Sequence, residues 1–384
     1  MRKAISREPL EDPSAGVQRA VPKVMLIGAL PPPFTGSTVP FRALIDALAA
    51  SGKVEPIVIA TGTKTDDGFL TRAGSFFRSL AGFLRHVGRA DVVSTHLSAK
   101  GRVTLAPIVL LVCRLLGRPV IVRNFGGALD KIYATSWPVT RRLIRYVLSA
   151  DYVLVETKAL CAFAKGLDLG NEVVWFPNTR PVSRYARSGP AGAVLRLVYL
   201  GAVTREKGVD LLLEAVRDLP ADRVALTVYG QPGNVTLEEL RALEPSVRYD
   251  GVLTPEQVCD ALARHDVLVM PSKWSTEGYP GVIIEAYAAG LAVATVDLPS
   301  IREIASDGET ALMFEAGSRE ALTRTLRRLT DDRELLKRLK SSAAEKAREY
   351  DSSVAETMFI GLCCEAAARQ IPRRQGRVWN RVAK

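Results

Sequence analysis

Two glutamates eight positions apart, Glu277 and Glu285, flank the run Gly278-Tyr-Pro-Gly-Val282. A carboxylate accepts from paired hydroxyls, and it is costly to bury unless something bonds to it. Glu285 lies among Val282, Ile283, Ile284 and Ala286, so it needs such a partner, and a ribose diol is suitable. Glu277, in the preceding loop, suits the hydroxyls of a second sugar ring. Pro280 fits a helix start, where its missing N–H is no loss, and Gly278 and Gly281 allow backbone to approach a ligand closely. The N–H groups of Gly281 and Val282 at that start suit a diphosphate.

Upstream, Gly201-Ala-Val-Thr-Arg-Glu-Lys-Gly208 puts Arg205 and Lys207 beside another helix start, a second place for an anion. Taken singly, this basic loop reads equally well as a solvated turn, and Glu285 as a surface charge on a helix.

These residues need a scaffold that delivers loops to one edge. Continuous apolar runs at 23–30, 54–60, 91–95, 119–123, 151–156 and 172–176 read as parallel strands covered on both faces. Helical patterns fall between them at 40–50, 70–87, 101–117, 137–149 and 158–166. A stretch at 181–192, rich in Pro, Gly, Ser and Arg, has no apolar periodicity and reads as a linker. Alternation then restarts with strands at 196–200, 224–229, 247–250, 266–270 and 291–296. The stripe Val209, Leu212, Leu213, Val216 marks an amphipathic helix. Strand–helix alternation on both sides of a linker predicts two doubly wound sheets. Ligands of such sheets bind at the carboxyl ends of the strands.

Residues 1–20 read as a disordered tail. Beyond 316 the chain becomes helical and charged to about 350, and a last helix over 353–369 leads into a basic tail at 373–384. No signal peptide is expected, since charges occupy the start of the chain. The apolar run 103–112 is too short to span a bilayer and is expected in a core helix.

The length of 384 residues suits two domains, and 47% hydrophobic residues supply their cores. A net charge of +11 favours anionic neighbours: nucleic acid, a membrane surface or phosphate-bearing substrates. Five cysteines without C-x-x-C spacing and only three histidines argue against a metal site and for reduced thiols in a cytoplasmic protein.

The stretch 277–285 resembles the E-x7-E signature of the retaining glycosyltransferase family 4, of GT-B fold. LVYLGAVTREKGVDLLLEAV, LTVYGQP, VRYDGVLTPEQVCDALARHDVLVMPS and EGYPGVIIEAYAAGLAVATVDLPSIREIASDGETALMF resemble successive family segments, in order and at the right spacing over about 195–330. The resemblance implies an α/β protein with two Rossmann-like, doubly wound parallel-sheet domains facing across a cleft. Residues 21–180 would form the acceptor-side domain and 193–350 the nucleotide-sugar domain, with the final helix crossing back to the first.

The resemblance also implies catalytic roles for Glu277, Lys207 and Arg205. Donor-binding positions are Gly36, Gly201, Val252, Glu277, Gly278, Tyr279, Pro280, Gly281, Val282 and Glu285. Acceptor-side candidates are His96, Asn124, Phe125 and Gly126. The implied co-substrate is a nucleotide-diphosphate sugar, without metal or other cofactor. The implied acceptor is a lipid-linked or envelope glycan intermediate. Two departures stand out: Ala202 takes a place where many relatives have Arg, and Phe125 one where many have His.

The helix 69–86, FLTRAGSFFRSLAGFLRH, and the arginines 141, 142 and 145 suit an anionic bilayer at the inner face of the plasma membrane, or else core aromatics beside solvated arginines. G-x-G-x-x-G is absent after both first strands, against a dinucleotide oxidoreductase. No recognisable nucleic-acid module accompanies the charge. A GT-B epimerase or phosphorylase is the remaining alternative, since fold does not fix reaction.

Overall fold

The computed structural model describes residues 21–62, 68–97, 99–242, 245–275 and 277–382, so the expected tail at 1–20 lies outside the described residues. Among them the first sheet has six strands: β1 (Lys23–Ala29), β2 (Glu55–Thr61), β3 (Val92–Leu97), β4 (Val120–Asn124), β5 (Tyr152–Val155) and β6 (Glu172–Trp175). Their order is β2-β1-β3-β4-β5-β6, and every pairing is parallel. The connecting helices are α1 (Thr38–Ser51), α2 (Phe69–His86), α3 (Ala99–Leu116), α4 (Leu129–Thr135), α5 (Pro138–Val147) and α6 (Lys158–Gly166).

The second sheet comprises β7 (Leu195–Leu200), β8 (Val224–Tyr229), β9 (Val247–Tyr249), β10 (Val267–Met270), β11 (Ala292–Val296) and β12 (Leu312–Phe314). Its order is β12-β11-β10-β7-β8-β9, again wholly parallel. Around it lie α7 (Val209–Arg217), α8 (Leu237–Arg241), α9 (Pro255–Ala263) and α10 (Gly281–Ala288). They are followed by α11 (Pro299–Arg302), α12 (Arg319–Asp331), α13 (Arg333–Lys346) and α14 (Ser352–Val382). The elements β12 and α4 are additions to the sequence reading, both too short to show a period.

Strand alternation divides the first core in two. Met25 and Ile27 of β1 face a cluster with Phe83, Val109 and Ile144, whereas Val24 and Leu26 face Phe41, Leu44 and Leu48. The second cluster is completed by α14, whose Ala355, Phe359, Leu362, Cys363 and Ala366 form one helical stripe. The last helix therefore returns from the second sheet to the first. Its backbone stays helical beyond the expected end at 369, to Val382.

Both crossings between the sheets meet at one point. Arg180 donates its N–H to the Tyr350 carbonyl at 3.0 Å, and Ser352 donates to the Arg180 carbonyl at 2.9 Å. The segment expected as a linker is held by hydrogen bonds along its length. It begins with a 3-10 turn at Val182–Arg184, Val182 donates to the Asp351 carboxylate, and Ser188 donates to the Ala289 carbonyl.

In α3, Val109, Leu110 and Cys113 are buried while Leu111, Leu115 and Leu116 are exposed, so the apolar run is only half a core element. Among the described residues no helix is long and apolar enough to cross a membrane. All five cysteines are free, and burial pushes the Cys113 thiol up to about 12.

Phe359 is fully buried against His96 and Phe176, so Phe359→Ala is expected to cost about 3–5 kcal/mol in the unfolding of the first lobe. Urea unfolding followed by tryptophan fluorescence measures it. A cost below about 1 kcal/mol would show that α14 contributes little to that core.

Candidate functional site

In the second sheet the chain switches direction between β7 and β10, the place where an open α/β sheet opens a crevice at its carboxyl edge. The loops leaving these two strands carry the sequence-identified residues. The Lys273 N–H donates to the Glu206 carbonyl at 2.9 Å, which joins the loops. Lys207 Nζ then donates to Glu277 Oε1 at 2.5 Å, and Ser272 Oγ donates to the same oxygen at 2.7 Å. Two residues seventy positions apart thus form one charged pair, largely shielded from solvent.

The loop after β10 runs into α10. Pro280 occupies its N-cap with extended backbone and no side-chain cap, so the first N–H groups of the helix, from Gly281 and Val282, remain for a ligand. Glu285 follows one turn later. The structure supplies its bonding partner, which sequence reasoning missed: Arg180 Nε donates to Glu285 Oε1 at 2.5 Å. Arg180 Nη1 also donates to Asn178 Oδ1 and to the Thr179 carbonyl, each at 2.9 Å. Burial opposes the charge on Arg180, but Glu285 more than restores it and holds the guanidinium above its usual range. No local pattern marks Arg180, which lies 105 positions from its partner; only the expectation that Glu285 needs one pointed toward it.

The first sheet presents its own carboxyl edge to these loops. A Cβ on Gly127 would meet the Glu277 carbonyl oxygen at 2.4 Å, and Lys131 Nζ donates to the Ser275 carbonyl at 3.0 Å. The backbone of Gly126–Gly127 therefore faces Glu277 and Gly278 directly. Glu156, just beyond β5, accepts from the Gly126 N–H at 2.9 Å and is raised by burial, against the pull of Arg123 and that N–H. Arg123 stacks between Phe125 and Phe176, 4.5 and 4.6 Å from their ring centres, and burial pushes it down to about 10. Arg123, Glu156 and Asn178 also escaped the sequence reading, because a charged or amide residue in an apolar run carries no spacing signal.

The acceptor-side candidates separate. Asn124 is 1% exposed at the end of β4, and neither atom of its amide has a partner among the described residues. His96 is packed among Phe41, Phe125 and Phe359, with its Nε2 on Ser94 Oγ; burial, with Arg123 beside it, holds its pKa well below the usual value. Its surroundings are those of a core side chain at the joint of β3, α1 and α14.

The remaining candidates are spread along the edge. Arg205 pairs with Glu239 of α8 and is half exposed, while its own N–H donates to Asn234. That places its guanidinium on the α8 side and not against Glu277. Gly201 ends β7 with its N–H on the Tyr229 carbonyl, Val252 is exposed beyond β9, and Gly36 is exposed in the loop after β1. That loop is organised by hydroxyls, Thr38 Oγ1 donating to the Pro33 carbonyl at 2.6 Å.

Tyr279 turns inward. Its hydroxyl donates to Glu303 at 2.5 Å and its carbonyl accepts from Asn178 Nδ2. Glu303 in turn accepts from the Lys158 and Ala159 N–H groups, so a carboxylate of the second lobe caps α6 of the first.

Residues 187–346 match the family model described as glycosyl transferases group 1. The sulfoquinovosyl transferase SQD2 of Arabidopsis thaliana is 32% identical over 290 residues, 70% of this chain and 55% of that protein. The phosphatidyl-myo-inositol mannosyltransferase of Mycobacterium leprae is 29% identical over 203 residues, 50% of this chain and 53% of that protein. The chain thus spans about half the length of these curated relatives. Anabaena HepE in complex with UDP-glucose superposes with a TM-score of 0.67 at 14% identity, over 90% of this chain and 99% of that one. The family match falls on the sheet that carries Lys207, Glu277 and Glu285, and the paired lobes are those of a GT-B protein: residues 187–346 of this chain form a domain of the glycosyl transferases group 1 family.

Proposed function

We propose that this protein transfers a sugar from a nucleotide-diphosphate donor to a hydroxyl of a lipid-linked or envelope glycan intermediate, with retention at the anomeric carbon and without a metal. The Lys207–Glu277 pair carries the reading: it sits at the switch point of the second sheet, against the α10 N-terminus and opposite Gly126–Gly127. A donor laid along this edge meets a matching order of groups. Its ribose diol meets Glu285, its diphosphate meets Lys207 and the Gly281 and Val282 N–H groups, and its sugar hydroxyls meet Glu277. HepE, of the same architecture, has been solved in complex with UDP-glucose, which agrees with such a donor here.

The chemistry asks for fixed positive charge where the leaving diphosphate gathers negative charge. The bond from the anomeric carbon to the phosphate oxygen breaks as the acceptor oxygen bonds on the same face, and the acceptor proton passes to the departing phosphate. A protein base is not needed for that step.

Charge-assisted hydrogen bonds contribute about 1.5–3 kcal/mol each, so Lys207→Ala and Glu277→Gln should each lower kcat/KM at least about tenfold. Proton NMR of the product from an α-linked donor should show an α-linkage; a β-linkage would refute the retaining mechanism. Conversion of the nucleotide sugar to its epimer without any acceptor would favour an epimerase instead.

The first lobe supplies a surface for a lipid-linked acceptor. Leu70, Phe77 and Leu84 of α2 recur every seven residues on its solvent side, with Leu70 84% exposed, while Phe83 is buried in the core. Next to them are exposed Leu111 and Leu115 of α3, then Trp137, 83% exposed, with Val139 and the exposed Arg141, Arg142 and Arg145. Helices α2, α3 and α5 pack side by side, which places these groups on one face. An apolar stripe bordered by arginines fits the interface of an anionic bilayer. The relative named for phosphatidyl-myo-inositol is consistent with an acceptor in that setting.

In flotation assays the protein should rise with vesicles containing phosphatidylglycerol and not with neutral vesicles. Leu70→Ser/Phe77→Ser/Leu84→Ser should abolish the association. Equal recovery with neutral vesicles would reject the electrostatic part of this reading.

A further inference from the structure

We propose that Arg180, from the hinge between the lobes, is a direct ligand of the donor diphosphate and forms with Lys207 the pair of cations that holds it. The inference rests on the donor site read above and adds to it a residue outside the family-like motifs. The guanidinium is more than nine-tenths buried. Its Nε is taken by Glu285 and its Nη1 by Asn178 and Thr179, while Nη2 has no hydrogen-bond partner among the described residues. That nitrogen lies over the start of α10: a Cβ built on Gly281 would stand 1.7 Å from it. Arg180 therefore points two unused N–H groups at the helix end whose own N–H groups suit a phosphate.

Charge and steric room agree with this assignment. A diphosphate brings at least two negative charges, whereas Arg205 is engaged with Glu239 and Ala202 contributes no cation to the loop after β7. Lys207 and Arg180 are each paired with one of the two site carboxylates, Glu277 and Glu285. Each pair thus offers one group suited to phosphate and one suited to hydroxyls. A nucleotide sugar carries both chemistries in the matching order, so its phosphates can engage the cations while its diol and sugar hydroxyls engage the carboxylates. Gly281 fits this arrangement, since any side chain there would displace the guanidinium.

Isothermal titration with UDP, GDP and TDP, and with uridine, guanosine and thymidine, tests the proposal on the full-length protein. Arg180→Ala should weaken the preferred nucleoside diphosphate at least about tenfold and its nucleoside less than about twofold. Arg180→Lys should recover part of the loss, because charge is kept and the planar fork is not. Arg180→Ala leaves Glu285 buried without its partner, so Arg180→Ala/Glu285→Gln is compared with Glu285→Gln alone. The double variant should show the further, diphosphate-specific loss in a chain without that unpaired carboxylate.

Equal weakening of nucleoside and diphosphate would overturn the proposal and leave Arg180 as a residue that positions Glu285 on the ribose. Unchanged diphosphate binding would overturn it as well. Failure of the wild-type protein to bind any of the three diphosphates would instead remove the donor-site reading, and this proposal with it.

Discussion

Charge held away from water between two sheet edges must be paired, and the site of this protein is organised by that constraint. Breaking a buried ion pair by removing one partner costs about 3–5 kcal/mol, so neither Glu285 nor Arg180 is tolerable there alone. Their bond fixes the side chain of a helix in one lobe to the crossing segment between the lobes. Glu277 is held in a similar way, by Lys207 and Ser272. Two carboxylates that would otherwise favour solvent are thus kept at the floor of the crevice, close to the backbone of the opposite lobe.

The position of Arg180 joins two parts of the molecule that sheet topology alone would leave separate. Its backbone pairs with the return of the chain at Tyr350 and Ser352, and its side chain reaches the start of α10. Asn178, Tyr279 and Glu303 continue the same seam, ending at the N-terminus of α6. A continuous run of hydrogen bonds therefore links the crevice, the crossover and a helix of the first lobe.

The first sheet brings a different kind of surface to the crevice. Its edge is lined by Arg123, stacked on Phe125 and Phe176, by Glu156, held by the Gly126 N–H, and by the buried Asn124. Asn124 keeps an unsatisfied amide in a nearly closed position, a costly arrangement for a group with no function. Residues of this kind are set by the shape of the cavity and not by a repeating motif. This is why the edge of the first sheet carried the weaker signal in the sequence; His96, a candidate there, is packed among Phe41, Phe125 and Phe359.

The sequence by itself determined the alternation of buried strands and amphipathic helices, because parallel strands covered on both faces need uninterrupted apolar runs. It determined the unit that carries Glu277, Pro280, Gly281 and Glu285 too, since a strand, its loop and the following helix have local geometry. It was silent on β12 and α4, too short to display a period, and on the bonds that tie down the linker 181–192. Only the tertiary structure decided which charges meet. Arg180 and Glu285 lie 105 residues apart, Lys207 and Glu277 seventy, and Arg205 was drawn to Glu239 instead. Pairing across such separations depends on where two folded sheets bring their loops, and no pattern within a single segment records that.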